Sequence, residues 1–121
     1  MSGQISGIDI HTYLVKEPAR AKTFWRDTME LPMTFEMDEG AEFELPDGSA
    51  FGLWHLGAEE GGWVKGSGIM FAVPDIHAAV AHYRDRGVSV QSHIEESPVC
   101  FMAFAQDSEG NDFILHQRKT G

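Results

Sequence analysis

Val73-Pro-Asp-Ile-His-Ala-Ala-Val-Ala-His-Tyr-Arg-Asp85 restates an earlier stretch, Val15-Lys-Glu-Pro-Ala-Arg-Ala-Lys-Thr-Phe-Trp-Arg-Asp27. At this offset of 58 residues Val15 meets Val73, Glu17 meets Asp75 and Ala21 meets Ala79. Trp25 then meets Tyr83, Arg26 meets Arg84 and Asp27 meets Asp85. Each copy reads as the end of a strand followed by an amphipathic helix. Pro18 suits the first turn of one helix, and Asp75 is a natural N-cap for the other. Ala21, Phe24, Trp25 and Thr28 fall at helical spacing, as do Ile76, Ala79, Val80 and Tyr83. Gly87 stops the second helix.

Strand patterns surround each helix in the same order. Ile8–Val15 precedes the first, and runs at 33–37, 41–45 and 50–55 follow it, separated by the turn sequences Asp38-Glu-Gly40 and Pro46-Asp-Gly48. Gly68–Val73 precedes the second, and runs near 88–91, 99–105 and 112–117 follow. At an offset of 62, Gly48 pairs with Gly110, Phe51 with Phe113 and Leu53 with Leu115. The reading is a single α+β domain over 1–121, built from two βαβββ modules at about 7–56 and 67–118. Two units are too few for a solenoid, so they are expected to pack together as one curved mixed sheet. The Gly-rich segment 57–67 is the expected hinge.

Composition narrows the function. Hydrophobic residues make up 42% and charged residues 23%, which excludes disorder and fibrous classes. No apolar run approaches the ~20 residues of a membrane span. The N-terminus has neither the basic nor the apolar region of a signal peptide, and the single cysteine, Cys100, fits a reducing cytoplasm. Cys100 lies in an apolar run and reads as a buried, inert thiol. A net charge of -10 repels phosphate backbones, so no nucleic acid partner is expected.

The doubled βαβββ pattern resembles the vicinal oxygen chelate superfamily, which contains glyoxalases, bleomycin-resistance proteins and extradiol dioxygenases. The resemblance rests on Val15-Lys-Glu17 before a helix carrying Phe24-Trp25, on Phe71-Ala-Val-Pro-Asp75 and Ala-Ala-Val80, and on Asp107-Ser-Glu-Gly-Asn111 before the last strand. It implies a sheet curled around a cavity, helices on the outside, and a homodimer that covers the sheet edges. Metalloenzymes of the family hold one divalent ion from four strand positions. Here Gly52, Gly68 and Ile114 occupy three of them. Ile10 occupies the fourth, or His11 if the first strand has a one-residue bulge. A catalytic metal needs about three protein ligands, so no metal site and no cofactor are assigned. A metal held by an unusual ligand set stays as an alternative.

By strand alternation and the family's geometry, Gly52, Trp54, Ile114 and His116 face the cavity. The expected ligand-binding residues are Trp54, His116, His11, Thr12 and Met70. His116 itself has three readings, as a cavity-lining group, a satisfied structural histidine or a metal ligand, and the residues alone leave them open. His55 has the opposite parity and reads as structural. His77 and His82 lie outside their helix's apolar stripe, and His93 sits in a polar loop. Glu36, Glu42 and Glu44 alternate with Phe35, Met37, Phe43 and Leu45. With the apolar set on the helix, those carboxylates form either a solvated edge or an acidic wall suited to a cationic ligand. No nucleophile–base pair or phosphate loop is present, and no catalytic residue is assigned. The reading is a cytoplasmic protein binding a small organic molecule, cationic or aromatic, in an apolar cavity. A lyase, isomerase or dioxygenase, metal-dependent or using His116 as general acid/base, is the alternative.

Overall fold

The computed structural model of the chain describes residues 3–120. Helix α1 runs Pro18–Thr23 and opens where proline's missing N–H would have no partner in any case. It widens into a π turn over Phe24–Thr28, where the Met29 N–H donates to the Phe24 carbonyl at 2.8 Å. The wider turn leaves Ala21 and Trp25 fully buried on one face. Helix α2, Ile76–Asp85, is capped by the Asp75 carboxylate, which accepts from the His77 and Ala78 N–H groups at 3.0 and 3.2 Å. Gly87 ends it at φ 86°, a conformation that a Cβ disfavours.

The strands form two separately hydrogen-bonded sheets. The first has the order β1 (His11–Leu14), β4 (Ala50–Trp54), β3 (Gly40–Glu44), β2 (Met33–Met37), with β1 parallel to β4. The second has the order β5 (Ile69–Ala72), β9 (Asp112–Arg118), β8 (Cys100–Gln106), β6 (Ser89–Val90), and β7 (Glu95–Glu96) also pairs with β8. The repeat is exact enough to reproduce individual bonds. Val15 N–H donates to the Trp54 carbonyl and Val73 N–H to the His116 carbonyl, both at 2.9 Å.

Phe51, Leu53, Phe113 and Leu115 all point toward the helices and are at most 2% exposed. Trp25 joins the two sets. Its ring centroid lies 4.7 Å from Phe51, 5.0 Å from Phe113 and 5.4 Å from Phe71. A buried ring of this size removes roughly 150–250 Å² from water. At 25 cal/mol per Å² that stabilises the joint core by about 4–6 kcal/mol.

The seam between the sheets is polar. The Tyr13 hydroxyl donates to the Asp112 carbonyl at 2.5 Å and accepts from the Ile69 N–H at 3.3 Å. Burial pushes its pKa up. The turn Asp107–Asn111 is the second tie. Glu109, 2% exposed, accepts from the N–H groups of Lys16 and Glu17 at 2.8 Å each, and from Arg20 Nε at 2.7 Å. Burial pushes this carboxyl up, but Arg20, those two N–H groups and the Ser108 hydroxyl outweigh it and hold it below its ordinary range. Asn111 donates to the Leu14 carbonyl at 2.9 Å and accepts from the Gly66 N–H at 2.8 Å.

The expected hinge is tied down as well. Residues Ala58–Glu60 form a 3-10 turn. Gly66 also accepts from the Asp112 N–H and packs so tightly on Tyr13 that a Cβ would meet the ring at 2.5 Å. Glycine at 66 serves close approach rather than freedom.

Candidate functional site

The faces of the two sheets turned away from the helices hold the candidate site. On the first sheet, register puts Thr12 beside Gly52 and Leu14 beside Trp54. His11 pairs with Phe51 and so lies on the helix side, its ring 6.0 Å from that of Tyr13. The strand contains no bulge there, so His11 does not reach the face for which it was a candidate. Ile10 takes that place. A Cβ on Gly52 would lie 2.8 Å from Ile10 Cδ1 and 3.2 Å from Thr12 Oγ1. The space that glycine leaves is thus filled by a neighbouring isoleucine.

A bulge does occur, but in β2. Pairing jumps between Met33 opposite Phe43 and Phe35 opposite Glu42. An extra residue reverses which side chains face which way. Phe35 and Met37 therefore share the helix-free face with Glu42 and Trp54, and are 54% and 40% exposed. Glu36 turns to the other side, where it meets Lys22 Nζ at 3.3 Å. The three-carboxylate wall does not form: Glu42 and Glu44 remain on this face and two apolar side chains join them.

On the second sheet, Met70 and Ala72 of β5 share the helix-free face with Ile114 and His116 of β9 and with Met102 and Phe104 of β8. Met70 is 52% exposed. A cavity of about 480 Å³ opens over Gly68, Phe104 and Ile114, with Ser89, Gln106 and Asp112 at its border. Gly68 has φ 94° and nothing near its Cβ position, so here the missing side chain does leave room. Hydrogen bonding from Gln106 at 3.0 Å and Lys65 at 3.1 Å holds the Asp112 carboxyl below its ordinary range. A second cavity of about 390 Å³ lies at the other end of β9, between Pro74, His116 and Arg118.

Of the five expected residues, only His116 lines either cavity. Trp54, Thr12 and Met70 lie on the helix-free faces outside them, and Trp54 packs over Gly40. Sequence reasoning missed Ser89, Gln106, Asp112 and Arg118. The period-2 alternation of β8 and β9 could have found Gln106, Asp112 and Arg118. The other histidines are engaged elsewhere. His55 Nδ1 lies 3.1 Å from the Val15 carbonyl, and His82 Nε2 lies 2.6 Å from Glu30.

A metal does not fit this geometry. The four family positions hold Ile10, Gly52, Gly68 and Ile114, none with a ligating side-chain atom, and Ile10 fills the space beside Gly52. Among the described residues, no three His, Cys, Asp or Glu side chains converge where they could share an ion. No helix among them is long and apolar enough to cross a membrane.

The doubled βαβββ fold with two helix-free sheet faces defines a glyoxalase-like protein. The chain belongs to the Glyoxalase/Bleomycin resistance protein/Dioxygenase superfamily, whose sequence profile matches residues 7–115. Solved structures share the fold. TnmS3, an antibiotic binding protein from Streptomyces sp. CB03234, is 19% identical with a TM-score of 0.83, covering 95% of this chain and 98% of its own. A superfamily member from Sphaerobacter thermophilus DSM 20745 is 23% identical with a TM-score of 0.80, covering 93% and 98%. Lactoylglutathione lyase from Agrobacterium tumefaciens is 18% identical with a TM-score of 0.71, covering 93% and 94%. No curated protein matches the chain in sequence.

Proposed function

We propose that this protein binds a small, planar organic molecule on its helix-free sheet faces, without a metal, as a cytoplasmic homodimer. One observation carries the reading. Phe35, Met37, Met70 and Phe104 stand 38–54% exposed on those faces, and a cavity of about 480 Å³ on the second is bordered by Ser89, Gln106 and the Asp112 carboxylate. Ligand pockets commonly span about 300–1,000 Å³ and combine apolar walls with a few polar groups. Large apolar side chains left in water mark a surface to be covered. A second copy laid over them would enclose the ligand, and the antibiotic-binding description of the similar TnmS3 supports a binding role.

Trp54 and Met70 supply stacking and apolar contact in this reading, while His116 and Thr12 supply hydrogen bonds. His11 is not part of it. A preference for cations is not part of it either, because Glu36 has left the face and β9 brings His116 and Arg118 to it. The test is a fluorescence screen of aromatic compounds followed by calorimetry. Trp54→Ala and His116→Ala should each weaken binding roughly three- to tenfold, the scale of one lost stack or neutral hydrogen bond. Sedimentation should give a dimer. Hits that bind both variants as tightly as the parent would refute the assignment. A catalytic reading has one observation in its favour, the half-buried His116 with no partner among the described residues, and turnover lost in His116→Gln would establish it.

A further inference from the structure

Along β9 four side chains face away from the helices: Asp112, Ile114, His116 and Arg118. The first two border the 480 Å³ cavity and the last two the 390 Å³ cavity. Among the described residues, every other lysine and arginine is engaged. Arg20, Lys22, Arg26, Lys65 and Lys119 meet carboxylates, Arg84 and Arg86 reach backbone carbonyls, and Lys16 lies over the Trp63 ring. Arg118 alone has no partner among the described residues. The histidines divide in the same way. His82 and His93 meet carboxylates, His55 a carbonyl, and His11 and His77 aromatic rings, while His116 has none.

A chain with 19 acidic side chains thus leaves unclaimed one guanidinium and one imidazole, two residues apart on one strand face. The nearby acids are already occupied. Glu95, across from Met102 in the row of His116, is held by His93 at 3.3 Å. Glu96 is held by Lys119, and Asp75 caps α2.

We propose that the cavity between Pro74, His116 and Arg118 is a subsite for the carboxylate of a small organic acid. The apolar body of that acid extends along β9 over Ile114 toward Phe104. This rests on the reading of the helix-free face as the ligand-binding face and gives that ligand a charge. A planar guanidinium pairs a carboxylate through two parallel N–H bonds, and the imidazole N–H adds a third donor. Side chains two apart on a strand are separated by about 6.5–7 Å, so Ile114 lies roughly 13 Å from Arg118. That length suits a fused two-ring acid, with its rings over Ile114 and its carboxylate between His116 and Arg118.

The test compares 2-naphthoate with its neutral isostere 2-naphthamide, by calorimetry and by methyl chemical shifts of isotope-labelled protein. The parent should bind naphthoate at least about tenfold more tightly than the amide, and Arg118→Gln should abolish that preference. His116→Gln should reduce it about threefold, and Arg118→Gln should leave amide binding unchanged. Arg118 is exposed at a strand end, and neither variant disturbs the core. Equal affinity for acid and amide, or naphthoate binding indifferent to Arg118→Gln, overturns the subsite. So does a parent that binds neither probe. The broader reading then stands if other neutral aromatic compounds shift the Ile114 and Met70 methyl signals, and falls with the subsite if none does. A self-association that Arg118→Gln abolishes would assign the pair to a second copy's carboxylate and overturn the proposal too.

Discussion

Replacing Glu109 by alanine removes one carboxylate that serves both modules. Its side chain is wholly buried, whereas its ion-pair partner Arg20 is 45% exposed. The two losses therefore weigh differently. Arg20 keeps Glu17 at 2.7 Å and keeps access to water, so its guanidinium is not stranded. The Lys16 and Glu17 N–H groups each lose the acceptor that held them at 2.8 Å. An unsatisfied, partly buried N–H costs about 1–3 kcal/mol, and solvent reaches this site in part. The expected loss is about 2–4 kcal/mol, or some 8–16 °C in Tm at about 4 °C per kcal/mol for a domain of this size. Glu109→Gln keeps an acceptor for the two N–H groups but turns an NH₂ toward Arg20, so about half that loss is expected. Urea unfolding of the three proteins measures it. A Glu109→Ala protein within about 0.5 kcal/mol of the parent, the range of ordinary surface changes, would refute the view that this carboxylate joins the modules.

The same group predicts a pH dependence. Its folded pKa lies below the ordinary 4.5, so its contribution is complete above that value and is lost as pH falls through the folded pKa. Below pH 4.5 the stability of the parent should therefore fall more steeply than that of Glu109→Gln. Gly40→Ala places a Cβ 2.0 Å from the Leu53 carbonyl oxygen, forcing β3 away from β4. It should cost about 3 kcal/mol, the upper end for overpacking, and thermal denaturation at unchanged Tm would refute this. Tyr13→Phe removes the bonds to Asp112 and Ile69 across the seam and should cost about 1–2 kcal/mol in urea unfolding. Protein purified without an affinity tag and dialysed should retain no stoichiometric divalent metal by elemental analysis; an equimolar ion would contradict the ligand positions.

What could be read from the letters was local or repeated. The Val15 and Val73 stretches differ by one constant offset, and the two valines make equal backbone bonds, to Trp54 and to His116. Asp75 and Gly87 act within four residues of themselves, and both behave as expected. The helix-facing Phe51, Leu53, Phe113 and Leu115 follow from period-2 alternation. What could not be read depended on distant partners or on a break in period. Nothing in Asp107-Ser-Glu-Gly-Asn111 says that its glutamate meets residues some ninety positions earlier. Its counterpart in the first half, Leu45–Ser49, stays at the surface with Asp47 bonded only to Ser49. Strict alternation through Thr34 puts Phe35 on the helix side, and no glycine marks the irregularity that turns it to the other face. His11 is the opposite case: only a bulge would bring it to the open face, and the strand is regular.

The irregular residue near Thr34 makes the chemistry of the first sheet's open face depend on a count. Two chains with the same letters from Phe35 to Met37, but differing by one residue just before them, would present opposite properties: phenylalanine and methionine in one, a carboxylate in the other. Among proteins built on this fold, the character of this face can therefore drift by insertion and deletion, with no substitution at any of its positions. Alignments that close such gaps for tidiness would erase the difference, and a library that varies only residue types at 35–37 would leave that count untouched.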